Sequence, residues 1–371
     1  MDRTQELFGL FRECFPGILA DEKRILEVFE DPDNAVFERR EEGELQGVLI
    51  LEGNTILLLC VRPEMRKQGL GSRLLEEAES TLSSMGFEEV LLYSAADHIL
   101  PGAPMRPEIS AFFEKRGYVH QGGENAAVDL VLELSKLGSS AIKLNSTQNN
   151  ITYRWARPED REAAVNCAGE SYRRLEEYYW EEKIYDRRNK QRALIAVQNA
   201  KPDMAYDPAE SVCGVLLVDM GGVMPGIGGL GCMAVRSAYA GSEIAGNLVQ
   251  LGAQELKNKG MEKGLAAYAG EDSIPAYLKN GFTIRERYFL GKKELKPVVA
   301  GGKGSMTKEV YIQYRELEGR LDHIEQRIYD QFCEQGHQLS EIEKLQIYVK
   351  PQDFTAYYLI NDHIQGKVGI F

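Results

Sequence analysis

Positive charge is what this chain has least to spare. Its 44 Lys and Arg are outnumbered by 57 Asp and Glu, giving a formal net charge of −13. A nucleic-acid binder needs a basic face against phosphates, so nucleic acid is set aside as a partner. No apolar run reaches membrane-spanning length. The opening residues Met1-Asp2-Arg3-Thr4-Gln5-Glu6 begin an amphipathic helix and lack the apolar stretch of a signal peptide. Paired cysteines are missing too. Cys14, Cys60, Cys167, Cys213, Cys232 and Cys333 lie far apart, form no CxxC pair, and mostly sit in apolar runs where a thiol packs as a small hydrophobe. A disulfide framework and a zinc site are therefore not expected, and the reading is a reduced, cytoplasmic, soluble protein without metal. Gly226 to Gly231 satisfies GxGxxG, but the apolar Cys232-Met233-Ala234-Val235 follows it as a strand where a dinucleotide site needs a helix.

What is present is size, order and one informative stretch. At 371 residues the chain exceeds one core, so two or three domains are expected. The stretch runs from Val61 through Arg62-Pro63-Glu64-Met65-Arg66-Lys67-Gln68-Gly69-Leu70-Gly71-Ser72-Arg73. It follows an apolar run, residues 55–60, that reads as a buried strand, and it opens a helical pattern over residues 72–85. Unpaired amides at a helix start point outward, and the helix dipole favours negative charge there. Glycine at 69 and 71 lets backbone approach an anion, and Arg66, Lys67 and Arg73 reinforce the attraction. Together these residues form a grip for a diphosphate.

The spacing Arg66-x-x-Gly69-x-Gly71 resembles the Arg/Gln-x-x-Gly-x-Gly/Ala signature of the GCN5-related N-acetyltransferases (GNAT). The block Phe112-Phe113-Glu114-Lys115-Arg116-Gly117-Tyr118 resembles the turn that precedes that family's last strands. The resemblance implies that acetyl-CoA is the co-substrate, held by the loop residues Arg66, Lys67, Gln68, Gly69, Leu70, Gly71, Ser72 and Arg73. It further implies that Leu59, Cys60 and Val61 offer backbone groups to the pantetheine and the thioester.

The pattern of strands and helices gives an α/β fold with a mixed sheet, and the pattern occurs twice. The expected organisation is a GNAT-like domain over residues 1–135, a linker over 136–150, a second and degenerate copy over 151–296, and a second linker over 297–306. Residues 307–371 form a small β-α-β-β domain, which resembles an uncharacterised bacterial domain with no activity to carry over. Setting Val61-Arg62 against Val235-Arg236 aligns the loops without a gap. Ala240 then stands where Arg66 was, Glu243 where Gly69 was, and Ala245 where Gly71 was. One like-charge pair at ~4 Å and an effective dielectric near 20 costs about 4 kcal/mol, so Glu243 speaks against a phosphate in the second copy. Glu243 could instead serve as a built-in anion at its own helix start.

The general acid points the other way. Many members of the family place a tyrosine four residues before the Gly of the later turn. That position is Tyr277 in the second copy and Phe113 in the first. A thiol leaves readily, so acid help is useful rather than obligatory. The first copy is therefore taken as the active one. Asp97, His98, Glu108 and Asp129 flank the expected cleft; His98, Asp97 and Tyr277 are the catalytic candidates, none with distinctive spacing. Cys60 as an acylated nucleophile has no neighbouring motif to lower its pKa.

The function implied is acetyl transfer from acetyl-CoA to an amine of a small molecule or peptide, by direct attack in a ternary complex. The alternative is a non-catalytic protein that senses acetyl-CoA or a metabolite. A homodimer is one arrangement left open, as is the identity of the acceptor.

Overall fold

The structure, a computed structural model, describes residues 3–19, 22–92, 99–139, 142–171, 175–199, 211–295, 311–314, 317–334, 337, 341–342, 344–350, 355–361 and 363–370. It divides into two compact units, Met1–Val298 and Val299–Phe371.

The first unit opens with two amphipathic helices, α1 (Arg3–Cys14) and α2 (Glu22–Glu30). Their apolar faces, with Leu7, Leu10, Phe11, Ile25 and Val28, share a core with Leu45, Val48 and Ile50 of the sheet. That sheet starts as an antiparallel meander of β1 (Ala35–Glu41), β2 (Glu44–Glu52) and β3 (Thr55–Val61). A 3-10 turn, Pro63–Met65, leads into α3 (Leu70–Ser84). Leu70, Leu74, Leu75, Ala78 and Leu82 recur at helical spacing and form its buried stripe. β4 (Glu89–Leu92), β5 (Ala103–Pro104), α4 (Pro107–Glu114), β6 (Val119–His120) and β7 (Val128–Glu133) complete this half.

The second half repeats the order. It contains β8 (Thr147–Gln148), β9 (Ile151–Trp155), α5 (Arg161–Ser171), α6 (Leu175–Trp180), β10 (Gln191–Gln198), β11 (Val212–Met224) and β12 (Ile227–Val235). α7 (Ile244–Asn258), β13 (Lys263–Ala269), α8 (Ile274–Lys279), β14 (Thr283–Phe289) and β15 (Gly291–Glu294) follow. The repeat extends to packing. Gly47 of β2 faces Val61 across the sheet, and Gly214 of β11 faces Val235. A Cβ on Gly47 would meet Leu70 and Leu74 at 3.2 Å; on Gly214 it would meet Ile244 at 2.6 Å and Leu248 at 3.1 Å. In both halves glycine lets the helix after the loop lie close on the sheet.

The sheets do not follow the linear order of the halves. The first has strand order β1-β2-β3-β4-β15-β6, and the second β5-β14-β7-β13-β12-β11-β10-β9-β8. β15 is antiparallel to both β4 and β6, while β7 is antiparallel to both β13 and β14. Each half thus donates its last strand to the other. Nothing in residues 128–133 or 291–294 read alone encodes that exchange, because hydrophobic alternation fixes which face is buried and not which neighbour is chosen.

In the second unit β16 (Tyr311–Tyr314) and β17 (Leu317–Arg320) form a hairpin. α9 (Leu321–Glu334) packs Ile324, Ile328 and Phe332 onto Ala356, Tyr358 and Ile360. The sheet beneath it has β18 (Leu345–Lys350), β19 (Thr355–Ile360) and β20 (Ile364–Gly369). The expected β-α-β-β pattern gains two strands. Residues 317–320 are an extended strand before the helix, and β20 adds a third strand to the sheet, where Gly366 and Gly369 dilute the alternation.

Candidate active site

β3 and β4 are parallel and, among the described residues, pair at Thr55 and Leu91. A cavity lies along β3 and extends to the turn and the start of α3. The cavity is about 540 Å³, and its lining includes the apolar Phe15, Ile56, Leu57, Leu58, Leu59, Leu92, Leu100 and Phe113. Arg66, Lys67, Gly69, Leu70, Gly71, Ser72 and Arg116 line it as well.

The turn is shaped by two residues in the left-handed region, Lys67 (φ 59°) and Gly69 (φ 81°). Gly69 is the N-cap of α3 and no side chain caps the helix, so the first-turn amides have no partner within it. The helix begins two residues earlier than the hydrophobic pattern indicated, because Leu70 and Gly71 already belong to its first turn. Arg66 donates from Nε to the carbonyl of Val61 at 3.0 Å, holding the turn against the strand end. Arg62 does not join the cluster: it donates to the carbonyl of Leu45.

Of the residues expected to hold the coenzyme, Leu59, Val61, Arg66, Lys67, Gly69, Leu70, Gly71 and Ser72 line the cavity. Cys60, Gln68 and Arg73 are not among its lining residues. Gln68 donates to the Glu64 carbonyl and Arg73 to the Gln68 carbonyl, so both stabilise the loop itself. Cys60 is 1% exposed, and burial pushes its thiol well above the ordinary range. That environment suits packing and opposes nucleophilic use. Cys14, which does line the cavity, is shifted the other way by a hydrogen bond with Cys60 and by Arg66.

One charged side chain that lines the cavity escaped the sequence reading. Arg116 stacks over Phe112 with its guanidinium 3.8 Å from the ring centroid, and hydrogen-bonds the Phe112 carbonyl and the Ser72 hydroxyl. It thereby presents a fixed cation beside the start of α3. Comparing the two copies would have flagged it. Asn280 occupies the matching place before Gly281 and donates to the carbonyl of Gly246, the counterpart of Ser72. A neutral link in one half is a charged one in the other.

The acceptor side is less fully assembled. Asp97 and His98 lie outside the described residues. Glu108 lines the cavity. Asp129 does not; it is 3% exposed, accepts from the Tyr288 hydroxyl at 2.5 Å and from the Tyr268 amide at 3.0 Å, and is raised by burial to about 6. The Pro101-Gly102-Ala103-Pro104 segment is anchored on the second half, since β5 pairs with Tyr288 and Phe289 and Arg106 meets Glu286 at 3.2 Å.

The equivalent strands of the second half show how such a place is filled. β12 and β13 pair from Ile227 to Gly229 and then part, and Gly229 is the counterpart of Thr55. In the parted stretch Tyr277 donates its hydroxyl to the Leu230 carbonyl at 3.2 Å, and Tyr179 donates to the Cys232 carbonyl at 2.7 Å. Tyr277 is 2% exposed and burial raises its pKa, so its proton is committed to backbone. The loop has also changed shape. Gly241 keeps the left-handed turn of Lys67, but Glu243 is right-handed (φ −80°) where Gly69 is left-handed. Its carboxylate lies 3.7 Å from Lys279.

Residues 31–120 match the family model described as Acetyltransferase (GNAT) domain, and residues 290–370 match one described as a family of unknown function (DUF6465). No curated protein matches the chain. Among solved structures, the chain is similar to a GCN5-related glucosamine N-acetyltransferase region of a fungal multi-domain GH3 β-N-acetylglucosaminidase (TM-score 0.62, 17% identity), covering 78% of this chain and 37% of that one. It is similar to a GCN5-related N-acetyltransferase from Sphaerobacter thermophilus (TM-score 0.57, 18% identity), covering 79% of this chain and 92% of that one. A tandem GNAT protein from the clavulanic acid biosynthesis pathway gives a TM-score of 0.55 at 18% identity, covering 79% and 95%. The fold is that of the GCN5-related N-acetyltransferases, and the match to the GNAT domain model lies within the first half.

Proposed function

We propose that this protein transfers an acyl group from an acyl-CoA to an amine, with the coenzyme held by the first of two tandem GNAT domains. The domains are residues 1–135 and 151–296, joined by 136–150 and followed by a linker over 297–306 and the small domain 307–371. The observation that carries this reading is the contrast between the halves. In the first half a largely apolar cavity along β3 reaches an uncapped helix start flanked by Arg66, Lys67 and Arg116. In the second half the equivalent carbonyls are taken by tyrosine hydroxyls and the loop carries Glu243.

In this reading the diphosphate of acetyl-CoA lies against the amides of residues 69–72, and the pantetheine runs along β3. Backbone donors beside Leu59 and Val61 face the thioester, where donors aimed at a developing oxyanion lower the barrier to attack. The acceptor amine, on a small molecule or peptide, attacks directly. Phe113 has no proton to give, so the thiolate departs without help from that position. Glu108, and Asp97 or His98, are the groups proposed to take the ammonium proton. The second half serves as scaffold, through β15 and the anchoring of residues 103–106.

Gly69→Glu places a carboxylate where the diphosphate would sit and forces a side chain into a left-handed backbone, so calorimetry should register no acetyl-CoA binding. Glu243→Ala should bind as the unaltered chain does. Loss of binding in the second variant and not in the first would reverse the roles of the halves. Phe113 also motivates a second reading, a coenzyme sensor without turnover. Thiol release measured against a panel of amines separates the two: release supports the transferase, and silence with tight coenzyme binding supports the sensor.

A further inference from the structure

Two thiols meet where β3 runs into the glycine turn. Cys14 is the last residue of α1, and its thiol donates to the carbonyl of Val61 at 3.3 Å. The same carbonyl accepts from Arg66 Nε at 3.0 Å, the bond that holds the turn against the strand end. Cys60, one residue earlier on β3, packs in the same core cluster and is hydrogen-bonded to Cys14. The two lie far apart in sequence with no CxxC spacing, so only the packing of α1 on β3 brings them together.

Their surroundings differ as those of an attacking and a resolving thiol do. Cys14 lines the cavity, and the hydrogen bond with Cys60, together with Arg66, holds its thiol below the ordinary range. A thiolate reached from a cavity is the nucleophile of disulfide exchange. Cys60 is 1% exposed, so a reagent meets it only by way of Cys14. The second half has no such pair. Ala234 stands in the place of Cys60, and burial pushes Cys167 and Cys213 up to about 12 and about 11.

We propose that Cys14 and Cys60 form a reversible disulfide by exchange with a small organic disulfide, and that forming it weakens the hold on the coenzyme. The weakening rests on the coenzyme reading above; the cross-link does not. The Cys14 sulfur attacks one sulfur of the reagent RSSR, giving a mixed disulfide and RS⁻, which takes up the proton that Cys14 gave up. The Cys60 sulfur then attacks the Cys14 sulfur, and a second RS⁻ leaves and takes the Cys60 proton. Two protein thiols are oxidised and one reagent disulfide is reduced to two thiols. The new bond, about 2.05 Å long, draws the end of α1 toward β3 and leaves Cys14 no proton for the Val61 carbonyl.

The full-length chain treated with hydroxyethyl disulfide should give, by peptide mapping in a mass spectrometer, a Cys14–Cys60 cross-link lighter by two hydrogens than the reduced pair. Calorimetry should show acetyl-CoA bound about tenfold more weakly, the scale of one hydrogen bond to a charged group, and recovered on reduction with dithiothreitol. Cys60→Ala, the residue that the second half carries there, should stop at the mixed disulfide on Cys14. Adducts elsewhere with Cys14 and Cys60 left unlinked overturn the pair. A cross-link with acetyl-CoA binding unchanged overturns the weakening alone. Failure of the reduced chain to bind acetyl-CoA or free CoA overturns the coenzyme reading and the weakening with it, while the mapping still decides the cross-link. Because the unaltered chain supplies these readouts, the test stands even if the variant does not fold.

Discussion

At the scale of single residues, the two copies behave as a controlled comparison built into one chain. Arg116 and Asn280 make the same mechanical link between the later helix and the start of α3 or α7. Only the first adds charge, and its guanidinium is held by Phe112 and Ser72 rather than swinging freely. Arg116→Ala should weaken acetyl-CoA binding about tenfold, the loss expected of one charge-assisted contact, and should reduce the dependence of that binding on salt. Arg116→Lys should recover only part of the affinity, because a point charge cannot both stack on Phe112 and fork to Ser72. Titration calorimetry at two salt concentrations checks both. Asp129 supplies a second test at this scale. Burial raises it from 3.8 to about 6, against the hydrogen bonds from Tyr288 and Tyr268 that favour its charged form. The folded chain therefore holds this proton more tightly than the unfolded chain does. Its contribution to stability is fully present below pH 4 and is lost as pH rises through about 6. The loss is about 3 kcal/mol. Asp129→Asn keeps an acceptor for the Tyr268 amide and cannot titrate, so the difference in urea stability between the two proteins should change across pH 4 to 6 and be flat above 7. A constant difference would show that Asp129 does not titrate there.

At the scale of elements, legibility depended on whether a feature was local. The strand at 55–61, its turn and the helix after it were readable because an apolar run, paired glycines and a helical stripe are contiguous in sequence. Gly69 takes a left-handed conformation that the sequence reading did not specify, and Glu243 differs at the matching point. Boundaries moved by a residue or two, as at Leu70, where the first helical turn carries glycine rather than an apolar side chain. The choice of sheet partner was not readable at all. β7 and β15 are short segments of ordinary strand composition, and the contacts that place them come from residues more than a hundred positions away: Val131 with Leu265, and Lys293 with Val90. Arg116 was missed for a different reason. A lone Arg before a glycine at a helix end is common on protein surfaces, and only its reach to Ser72 across the fold gives it a role.

At the scale of the molecule, the exchanged strands make residues 1–298 one folding unit rather than two beads. β15 sits between β4 and β6, with Gly291 packed against Tyr118 and Leu92 where a Cβ would come within 3.2 Å of each. Beside it Lys293 meets Glu79 at 2.5 Å, and Glu79 also accepts from Tyr118 at 3.0 Å. Remove the second half and β4 and β6 lose their shared partner, exposing a ladder edge beside the cavity. A chain ending at residue 135 should therefore neither unfold cooperatively nor bind acetyl-CoA, although it contains every residue that lines the cavity. A chain ending at residue 295 keeps β14 and β15 and should retain both properties, since the boundary at Val298 falls beyond them. Thermal unfolding and calorimetry on the two shortened chains decide the matter. Coenzyme binding of full strength by the shorter one would mean that the first half completes its own sheet, with β7 returning to the place that β15 holds here.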